Sequence, residues 1–381
     1  MPQYKKKIRI AVDACILTAR PTGVAQYLMA AINVLSEQQP DVEYLLLAHK
    51  PLHSDVDRLL RQADNIRFAC CPAPPLFNNS LFWLIFCFTV FARKSSATHI
   101  WGPAGLLPFF GCHNLKTILT VHDLVFRSLP NTMSFKTLIA YYLLSGHAIR
   151  NAQIIWAVSE FTKNEIQRYY PRRKSQHIII GSGLNPSRNI LDISINTRSE
   201  IIARYGIHQK SLLFVGTLEP RKNLAFLLSL MPELAEDGWN LFVVGCSGWG
   251  ESHFTSIINS PSFPKKSVVF CDYVSDADLH GFYITVAFFI STSLMEGFGL
   301  PQLEAMSVGC PVIAASNSAL IEVVGDGGVL VSGWVREIWC KIIKDSFYIR
   351  SKLAASAIKQ AQQYTIDKVC IELYTIINSY R

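Results

Sequence analysis

The sequence of 381 residues lacks the features of several common protein classes. No apolar run reaches the roughly 18 to 20 residues that a membrane-spanning helix needs. The basic start of the chain is followed by Arg9 and Asp13, which interrupt any apolar region that could serve as a secretion signal. No repeat of solenoid length and no low-complexity tract is present. From these absences we expect a cytoplasmic globular protein.

Cysteine and glycine are present, but not in the patterns of redox, metal or dinucleotide sites. The ten cysteines form no C-x-x-C pair and have no zinc-like spacing with histidine, so they predict core residues of a reducing compartment. The first predicted strand leads to Gly23 and not into G-x-G-x-x-G, which argues against an NAD-dependent dehydrogenase. The segment 245–250 (GCSGWG) lacks the Lys-Ser/Thr pair of a P-loop, and we interpret it as a turn at a strand end.

Positive charge exceeds negative charge, with a formal net charge of +8. The lysines and arginines cluster at 5–7, 93–94, 172–174 and 265–266. Such clusters are often solvated faces; where they do bind, the partner is anionic. Nucleic acid would require a continuous basic stripe with interleaved aromatics, which is absent, so we predict no nucleic-acid binding. Anionic lipid and phosphorylated small molecules fit better.

The longest strongly apolar run is 81–92 (LFWLIFCFTVFA), and it is closed by Arg93 and Lys94. As a helix its twelve residues would cover only about 18 Å, too little to cross a membrane. Two interpretations stay open. The run is either a buried helix or an interfacial helix that rests on an anionic membrane surface, since it is rich in aromatics and has a basic flank.

Short apolar runs alternate with longer helical stretches along the whole chain, which predicts parallel sheets covered by helices on both faces. Because the length exceeds what one core usually organises, we expect two Rossmann-like domains, at 1–185 and 186–360, and a helix at 361–381 that packs back toward the first domain. The polar stretch 181–197 is the predicted linker. The predicted strands are 8–12, 44–48, 99–101, 117–121 and 154–158, followed by 212–215, 241–244, 268–271, 287–291 and 312–314.

The segment 291–311 (STSLMEGFGLPQLEAMSVGCP) carries the strongest chemical signal. A strand runs into a glycine-punctuated turn and then into a helix that begins near Leu300. Gly297 and Gly299 let backbone amides approach a ligand, and the positive end of the new helix favours an anion. Glu296 and Glu304 flank this turn and can accept hydrogen bonds from hydroxyls. The segment therefore predicts a site for a phosphorylated sugar; a plain strand-turn-helix connection with two solvated glutamates is the alternative.

A second signal is 216–223 (GTLEPRKN), which directly follows a predicted strand. Arg221 and Lys222 stand where a helix should begin, at the carboxyl edge of the sheet, where doubly wound folds bind ligands. Arginine can bind a phosphate with two parallel hydrogen bonds, and lysine adds a compact charge. The pair is suited to a diphosphate leaving group, unless it is only a solvated helix start.

Together these segments resemble the retaining glycosyltransferases of family 4, which have the two-domain GT-B fold. EGFGLPQLEAMSVGCPVIAA resembles the signature of that family, and VGTLEPRKNL resembles its diphosphate-binding loop. RPTGVAQYL, TVHDLVF, AVSEFTKNEI, VFCDYVSDADL and ALIEVVGDGG match in the same order. The resemblance implies an active site between two α/β domains, a nucleoside-diphosphate sugar as the donor, and no cofactor.

The resemblance also implies residue roles. Arg221 and Lys222 would bind the donor diphosphate. Glu296 and the amides of Phe298, Gly299 and Leu300 would bind the donor sugar, and Glu304 would bind the ribose. In the amino-terminal domain, Gly23 would let the backbone approach the diphosphate and His122 would contact the transferred sugar. As a local feature alone, a structural histidine at a strand end is the alternative for His122.

Some positions depart from the family pattern. Thr217 stands where many members have arginine, and Asp272 stands where a glycine is frequent; the segment 319–322 (ALIE) replaces a frequent S-L-P-E. Asp276 and Asp278 have the D-x-D spacing of metal-dependent glycosyltransferases of another fold, but we expect a helix N-cap there and no metal.

The branch that shares these motifs contains mannosyltransferases of bacterial surface polysaccharide assembly. The resemblance therefore implies GDP-mannose as the donor and a glycan or polyprenyl-diphosphate-linked acceptor at the inner face of the plasma membrane. A nucleotide-sugar epimerase and a catalytically inactive membrane-associated scaffold are the rival interpretations.

Overall fold

The chain forms two compact α/β units. The computed structural model describes residues 7–60, 62–72, 79–175, 177–184, 195–246, 248 and 252–379. Unit 1 contains the described residues of Met1–Ser128, Phe135–Arg188 and Thr365–Arg381, and unit 2 contains those of Leu129–Ser134 and Asn189–Tyr364. Most of the predicted linker (185–194) and part of the predicted turn 245–250 lie outside the described residues.

Unit 1 is built on a parallel sheet of seven described strands in the order β3-β2-β1-β4-β5-β6-β7. The order reverses between β1 and β4, the arrangement of doubly wound folds. The strands are β1 Arg9–Asp13, β2 Glu43–Ala48, β3 Ile66–Cys70, β4 His99–Gly102, β5 Lys116–Val121, β6 Ile154–Ala157 and β7 His177–Ile180.

Unit 2 repeats this plan with six described strands in the order β10-β9-β8-β11-β12-β13, and every pairing is parallel. Here the order reverses between β8 and β11. The strands are β8 Ser211–Val215, β9 Asn240–Val244, β10 Val268–Phe270, β11 Phe288–Ser291, β12 Val312–Ala315 and β13 Gly328–Val331.

Helices accompany both sheets. In unit 1 the first seven are α1 Gly23–Gln38, α2 Ser54–Leu59, α3 Ser80–Trp83, α4 Thr89–Lys94, α5 Val125–Ser128, α6 Phe135–Asn151 and α7 Glu160–Tyr169. In unit 2 they are α8 Ile195–Tyr205, α9 Leu224–Glu236, α10 Ser252–Ile258, α11 Asp276–Thr285, α12 Leu300–Ser307, α13 Leu320–Val324, α14 Arg336–Ser346 and α15 Arg350–Ala361. The last helix, α16 Ile366–Ser379, packs on α1 and β7 in unit 1. Two Rossmann-like domains with a crossing carboxyl-terminal helix are thus confirmed.

The burial of each strand explains why the sequence pattern predicted some strands and missed others. The central strands are buried on both faces, as in β2 and β6, where every residue is buried. Such strands show as nearly continuous apolar runs. The pattern missed β3, β7 and β13, and each of these lies at the edge of its sheet. In β3 four of the five residues are exposed, so the strand lacks the apolar run that marks an interior one.

The apolar run at 81–92 is helical, with α3 and α4 joined by a π-helical turn at Leu84–Phe88. One side is buried through Trp83, Leu84, Phe88 and Ala92. The opposite side exposes Phe82, Phe86 and Val90, each at 48–49 % of its surface. One face of this run is thus core, as the buried-helix interpretation expects, and the other is apolar surface, whose contact with a membrane stays a prediction. Among the described helices, none combines the length and apolarity needed to cross a membrane.

Candidate active site

The predicted donor residues of unit 2 gather at the reversal point of its sheet. Strands β8 and β11 are neighbours, so the loops after their carboxyl ends lie side by side. Arg221 and Lys222 lie in a short 3-10 turn after β8, and Glu296 lies in the loop after β11. The amide of Leu294 donates to the carbonyl of Arg221 at 2.7 Å and ties the two loops together.

Glu296 is the centre of a buried charge cluster. Lys222 Nζ lies 2.5 Å from Oε1 of Glu296, and Arg221 Nη1 lies 3.0 Å from Oε2. The hydroxyl of Ser293 donates to Oε1 at 2.7 Å. Glu219 completes the group, because its Oε2 lies 3.2 Å from Arg221 Nε. When ionised, the two cations and two carboxylates balance.

Burial and charge act in opposite directions on these groups. Glu296 is only 5 % exposed and Lys222 only 8 %. Burial by itself would raise the pKa of Glu296, but Lys222 and Arg221 outweigh it and lower the pKa to about 2. The pKa of Lys222 is lowered, chiefly by burial, although Glu296 opposes the shift. Because both oxygens of Glu296 are engaged, this carboxylate fixes the positions of the two cations.

The turn after Glu296 has the backbone that the glycine pattern predicts. Gly299 adopts a φ of 107° and is the N-cap residue of α12, which begins at Leu300. A side chain at Gly299 would be strained and would approach the Oε1 atom of Gln302 at 3.0 Å. Phe298 is buried against the ring of Tyr364 within unit 2. The amides of Phe298, Gly299 and Leu300 thus lie at the positive end of α12, where an anion or a sugar oxygen is favoured.

Glu304 lies one turn into α12 and outside the ion pairs of Glu296. Its Oε2 accepts a hydrogen bond from the hydroxyl of the buried Tyr283 at 3.1 Å. The predicted contact of Glu304 with a ribose stays a prediction.

Several supporting residues were not predicted from the sequence. Ser318 Oγ accepts from the amide of Glu296 at 2.9 Å, and Asn317 donates to the carbonyl of Ser293 at 3.0 Å. Thr292 donates to the carbonyls of Lys222 and Asn223 at 3.2 and 3.1 Å. For Thr292, the polar run at 291–293, which begins at the last residue of the buried strand β11, was the signal that could have indicated a hydrogen-bonding role.

The two predicted residues of unit 1 are His122, which follows a strand, and Gly23, which begins a helix. His122 follows β5; its Nε2 donates to the carbonyl of Pro103 at 2.7 Å, and Tyr27 packs edge-on against its ring. Burial lowers the pKa of His122, which favours a neutral imidazole whose Nδ1 is the acceptor. Gly23 is the first residue of α1, and a side chain there would meet no described atom within 4 Å. Their contacts with a donor stay predictions.

The D-x-D segment is a helix start. The N-cap of α11 is Ser275, whose hydroxyl accepts from the amide of Asp278, so Asp276 and Asp278 lie in the first turn and not at the cap itself. The carboxylate of Asp278 is bound by Arg204 and Tyr205 at 2.9 and 3.0 Å.

Comparison with known proteins gives the family of this chain. The family model "Glycosyl transferases group 1" matches residues 209–344, which include Arg221, Lys222, Glu296 and Glu304. The O-antigen chain mannosyltransferase B of Escherichia coli is 30 % identical over 293 residues, covering 74 % of this chain and 73 % of that protein. The chain belongs to the group 1 glycosyltransferases. It is therefore a glycosyltransferase, an enzyme that transfers sugars.

Two further relatives extend the comparison of this glycosyltransferase. The serotype-specific mannosyltransferase WbdA of Escherichia coli is 23 % identical over 74 % of this chain, which spans only 35 % of the length of WbdA. Among solved structures, Anabaena HepE in complex with UDP and glucose superposes with a TM-score of 0.74 at 17 % identity and covers 98 % of this chain and 100 % of its own. At that identity the likeness shows the fold, which is GT-B.

Proposed function

We propose that this glycosyltransferase transfers mannose from GDP-mannose to a hydroxyl of a lipid-linked or polysaccharide acceptor, with retention of the anomeric configuration. The observation that carries the proposal is the Arg221–Lys222–Glu296 cluster at the strand-order reversal of unit 2. Two relatives named as mannosyltransferases support the choice of sugar, and the HepE complex with UDP and glucose supports nucleotide-sugar chemistry at this fold.

The proposed reaction depends on stabilisation of the departing diphosphate and does not use a nucleophilic side chain of the enzyme. The bond between the sugar C1 and the diphosphate oxygen breaks, and the acceptor oxygen bonds to C1 on the same face. The acceptor proton passes to an oxygen of the leaving phosphate. Arg221 and Lys222 offset the negative charge that develops on the diphosphate, and because Glu296 already holds them in place, little reorganisation is needed. This scheme uses no metal, since Arg221 and Lys222 act as fixed hydrogen-bond donors to the leaving diphosphate.

A membrane surface is part of the proposal, because one of the two proposed acceptor classes is lipid-linked. The exposed face of α3 and α4, which we call the apolar helix face (Phe82, Phe86 and Val90), supports it. Arg93 and Lys94 lie in the last turn of α4 and add positive charge at its end. This combination is typical of helices that rest at a lipid interface.

The decisive experiment measures mannose transfer from GDP-mannose in the presence of a chelator, with the anomeric configuration of the product determined by NMR. Arg221→Ala is expected to slow turnover by about a hundredfold or more, because losing one fixed donor to a developing anion costs on that scale. Arg204→Ala is the matched control, since Arg204 binds Asp278 away from the cluster. Near-normal turnover of both Arg221→Ala and Lys222→Ala, or an inverted product, would contradict the proposal.

A further inference from the structure

Unit 1 contains a cavity of about 770 Å³ that the proposed chemistry does not use. It lies at the amino-terminal edge of the sheet, because its lining includes Lys116, the first residue of β5, and Gln153, which precedes β6. Lys174, before β7, and the end of α6 close it. His122 lies at the other end of β5, about 20 Å along a six-residue strand. The cavity is thus separate from the predicted catalytic residues of unit 1.

The lining of the cavity is cationic. Lys116 and Lys174 supply the positive charge, His113 and His147 add ring nitrogens, and among the described residues that line the cavity none is Asp or Glu. Burial, together with the charges of Lys174 and Arg150, lowers the pKa of His147 and favours its neutral imidazole, which can donate a hydrogen bond to an anion. Amide groups of Asn151 and Gln153 add hydrogen-bonding capacity. A lining of this kind suits an anion.

The end of α6 would by itself oppose an anion, because a helix end carries partial negative charge. Two of its carbonyls are already capped, however. The amide of Lys174 donates to the carbonyl of Arg150 at 2.9 Å, and Asn151 Nδ2 donates to the carbonyl of His147 at 2.9 Å. Full side-chain charges then outweigh the remaining partial charges, so the cavity stays favourable to a phosphate.

Hydrogen bonds join one wall of the cavity to helix α4, which carries Val90 of the apolar helix face. One wall is the loop 107–115, in which Phe110 exposes 66 % of its surface. Thr89 of α4 donates to the carbonyl of Phe110 at 3.3 Å, and Arg93 donates to the carbonyl of His113 at 3.1 Å. The aromatic Phe109 stacks on His147 with ring centroids 4.2 Å apart. The exposed Phe110 and the cavity wall are therefore held against the helix that carries Val90 of the apolar helix face.

We propose that this cavity binds the phosphate-bearing head of a membrane amphiphile whose lipid part lies against Phe110 and the apolar helix face. The inference rests on the proposed membrane-linked function. It assigns the membrane contact to the amino-terminal edge of the unit 1 sheet. An acceptor whose phosphate is bound in this cavity needs a glycan that is long enough to reach from the amino-terminal edge of the unit 1 sheet to its carboxyl edge, where His122 lies.

The test is sedimentation of the full chain with vesicles of phosphatidylcholine, with and without phosphatidylglycerol, together with calorimetry using inorganic pyrophosphate. Lys174→Gln and His147→Ala are expected to weaken binding to the anionic vesicles by about tenfold each, the size expected for one lost contact to a charged group. Lys174→Arg keeps the charge and should bind like the wild type. Lys352→Gln, which removes an exposed lysine of α15, is the charge-matched control and should change nothing.

The outcomes separate the sources of the phosphate. Phe86→Ser should weaken vesicle binding and leave pyrophosphate binding unchanged, because Phe86 belongs to the apolar part. Pyrophosphate binding at this site without vesicle binding would overturn the lipid source. Unchanged vesicle binding by Lys174→Gln and His147→Ala would overturn the site itself. Mannose transfer to a water-soluble acceptor by these same variants would show that the proposed enzyme activity stands even if the site fails.

Discussion

At the scale of single residues, Glu296 illustrates how a buried carboxylate can stay ionised. A buried carboxylate would become neutral if it were alone, but here two cations and a serine hydroxyl stabilise the ionised form. The ion pairs are worth little as a source of net stability, because their desolvation offsets most of the attraction. Removing one partner is different, since it leaves an uncompensated charge in the interior.

Glu296→Gln is therefore expected to destabilise unit 2 by about 3 kcal/mol at neutral pH, because Lys222 stays buried without its counter-charge. Glu219→Gln is the control; this side chain is less buried and should cost under about 1 kcal/mol. Thermal unfolding of the two variants and the wild type measures the difference. The folded pKa of Glu296, about 2, lies below its ordinary value of 4.5.

The stabilisation from ionised Glu296 is thus fully present above about pH 4.5 and is lost as the pH falls toward 2. The gap between the wild type and Glu296→Gln should be constant from pH 5 to 7 and should shrink below that range. A gap that does not depend on pH would contradict this account.

Asp272 shows a residue whose role is conformational. Members of the family frequently have glycine at this position. The reason is visible in the backbone of Asp272, whose φ of 43° lies in the left-handed region. Aspartate is one of the few side chains that tolerate this region. The carbonyl of Asp272 accepts from the amide of Gly245 at 2.7 Å, so the strained turn serves to connect the ends of β9 and β10.

At the scale of elements, the transition from β8 to α9 fixes the direction of Arg221 and Lys222. Their short 3-10 turn ends at Asn223, which has φ 52° and ψ 39°. A left-handed residue reverses the chain locally and lets α9 begin at the next residue. The two cations are thereby held at the ends of the strands and not carried along the helix.

Asn223→Val is expected to destabilise unit 2 by about 1 to 2 kcal/mol, because a β-branched side chain is disfavoured in the left-handed region. Asn223→Gly should match the wild type within about 0.5 kcal/mol, since glycine adopts this region freely. Urea unfolding measures both. Donor affinity should fall with the valine variant alone, and equal stability of the two variants would show that the backbone of this turn is not the constraint.

Most interior elements could be predicted from the sequence, whereas boundaries at sheet edges could not. Strands such as β1, β5 and β12 appear as apolar runs because both of their faces are buried. The missed edge strand β13 has three of four residues only half-buried. The N-cap of α11 was predicted at the aspartates and belongs to Ser275, since serine and aspartate caps look alike in a sequence.

At the scale of the whole molecule, the end of the chain belongs to the unit where the chain begins. Helix α16 buries Ile366, Val369, Cys370, Leu373 and Ile377. Gln39 donates to the carbonyl of Cys370 at 3.1 Å, and Leu184 pairs with Thr365. Each buried apolar side chain contributes roughly 1.5 to 3 kcal/mol, a sum comparable to the stability of a whole domain.

Leu373→Ala is expected to destabilise unit 1 by about 3 kcal/mol, because the side chain is fully buried and its loss leaves a cavity. Ile371→Ala on the same helix is the control, since Ile371 is 55 % exposed and should change stability by less than about 0.5 kcal/mol. Scanning calorimetry that resolves the two units measures this. A shift in the transition of unit 2 instead of unit 1 would contradict the assignment of α16.

The sequence alone determined the features that contiguous residues carry: two alternating α/β patterns, the double-glutamate segment, the Arg-Lys loop and the resemblance to a glycosyltransferase family. These features can be recognised in the sequence because helix and strand periodicities and tight turns depend on residues that are neighbours along the chain. The tertiary structure decided that Glu296 pairs with Arg221 and Lys222, 75 and 74 residues away. It also decided which face of α3 and α4 is exposed, and that Lys116 and Lys174 line one cavity. These features depend on packing between segments that are distant in the sequence, and the periodicity of the sequence does not encode that packing.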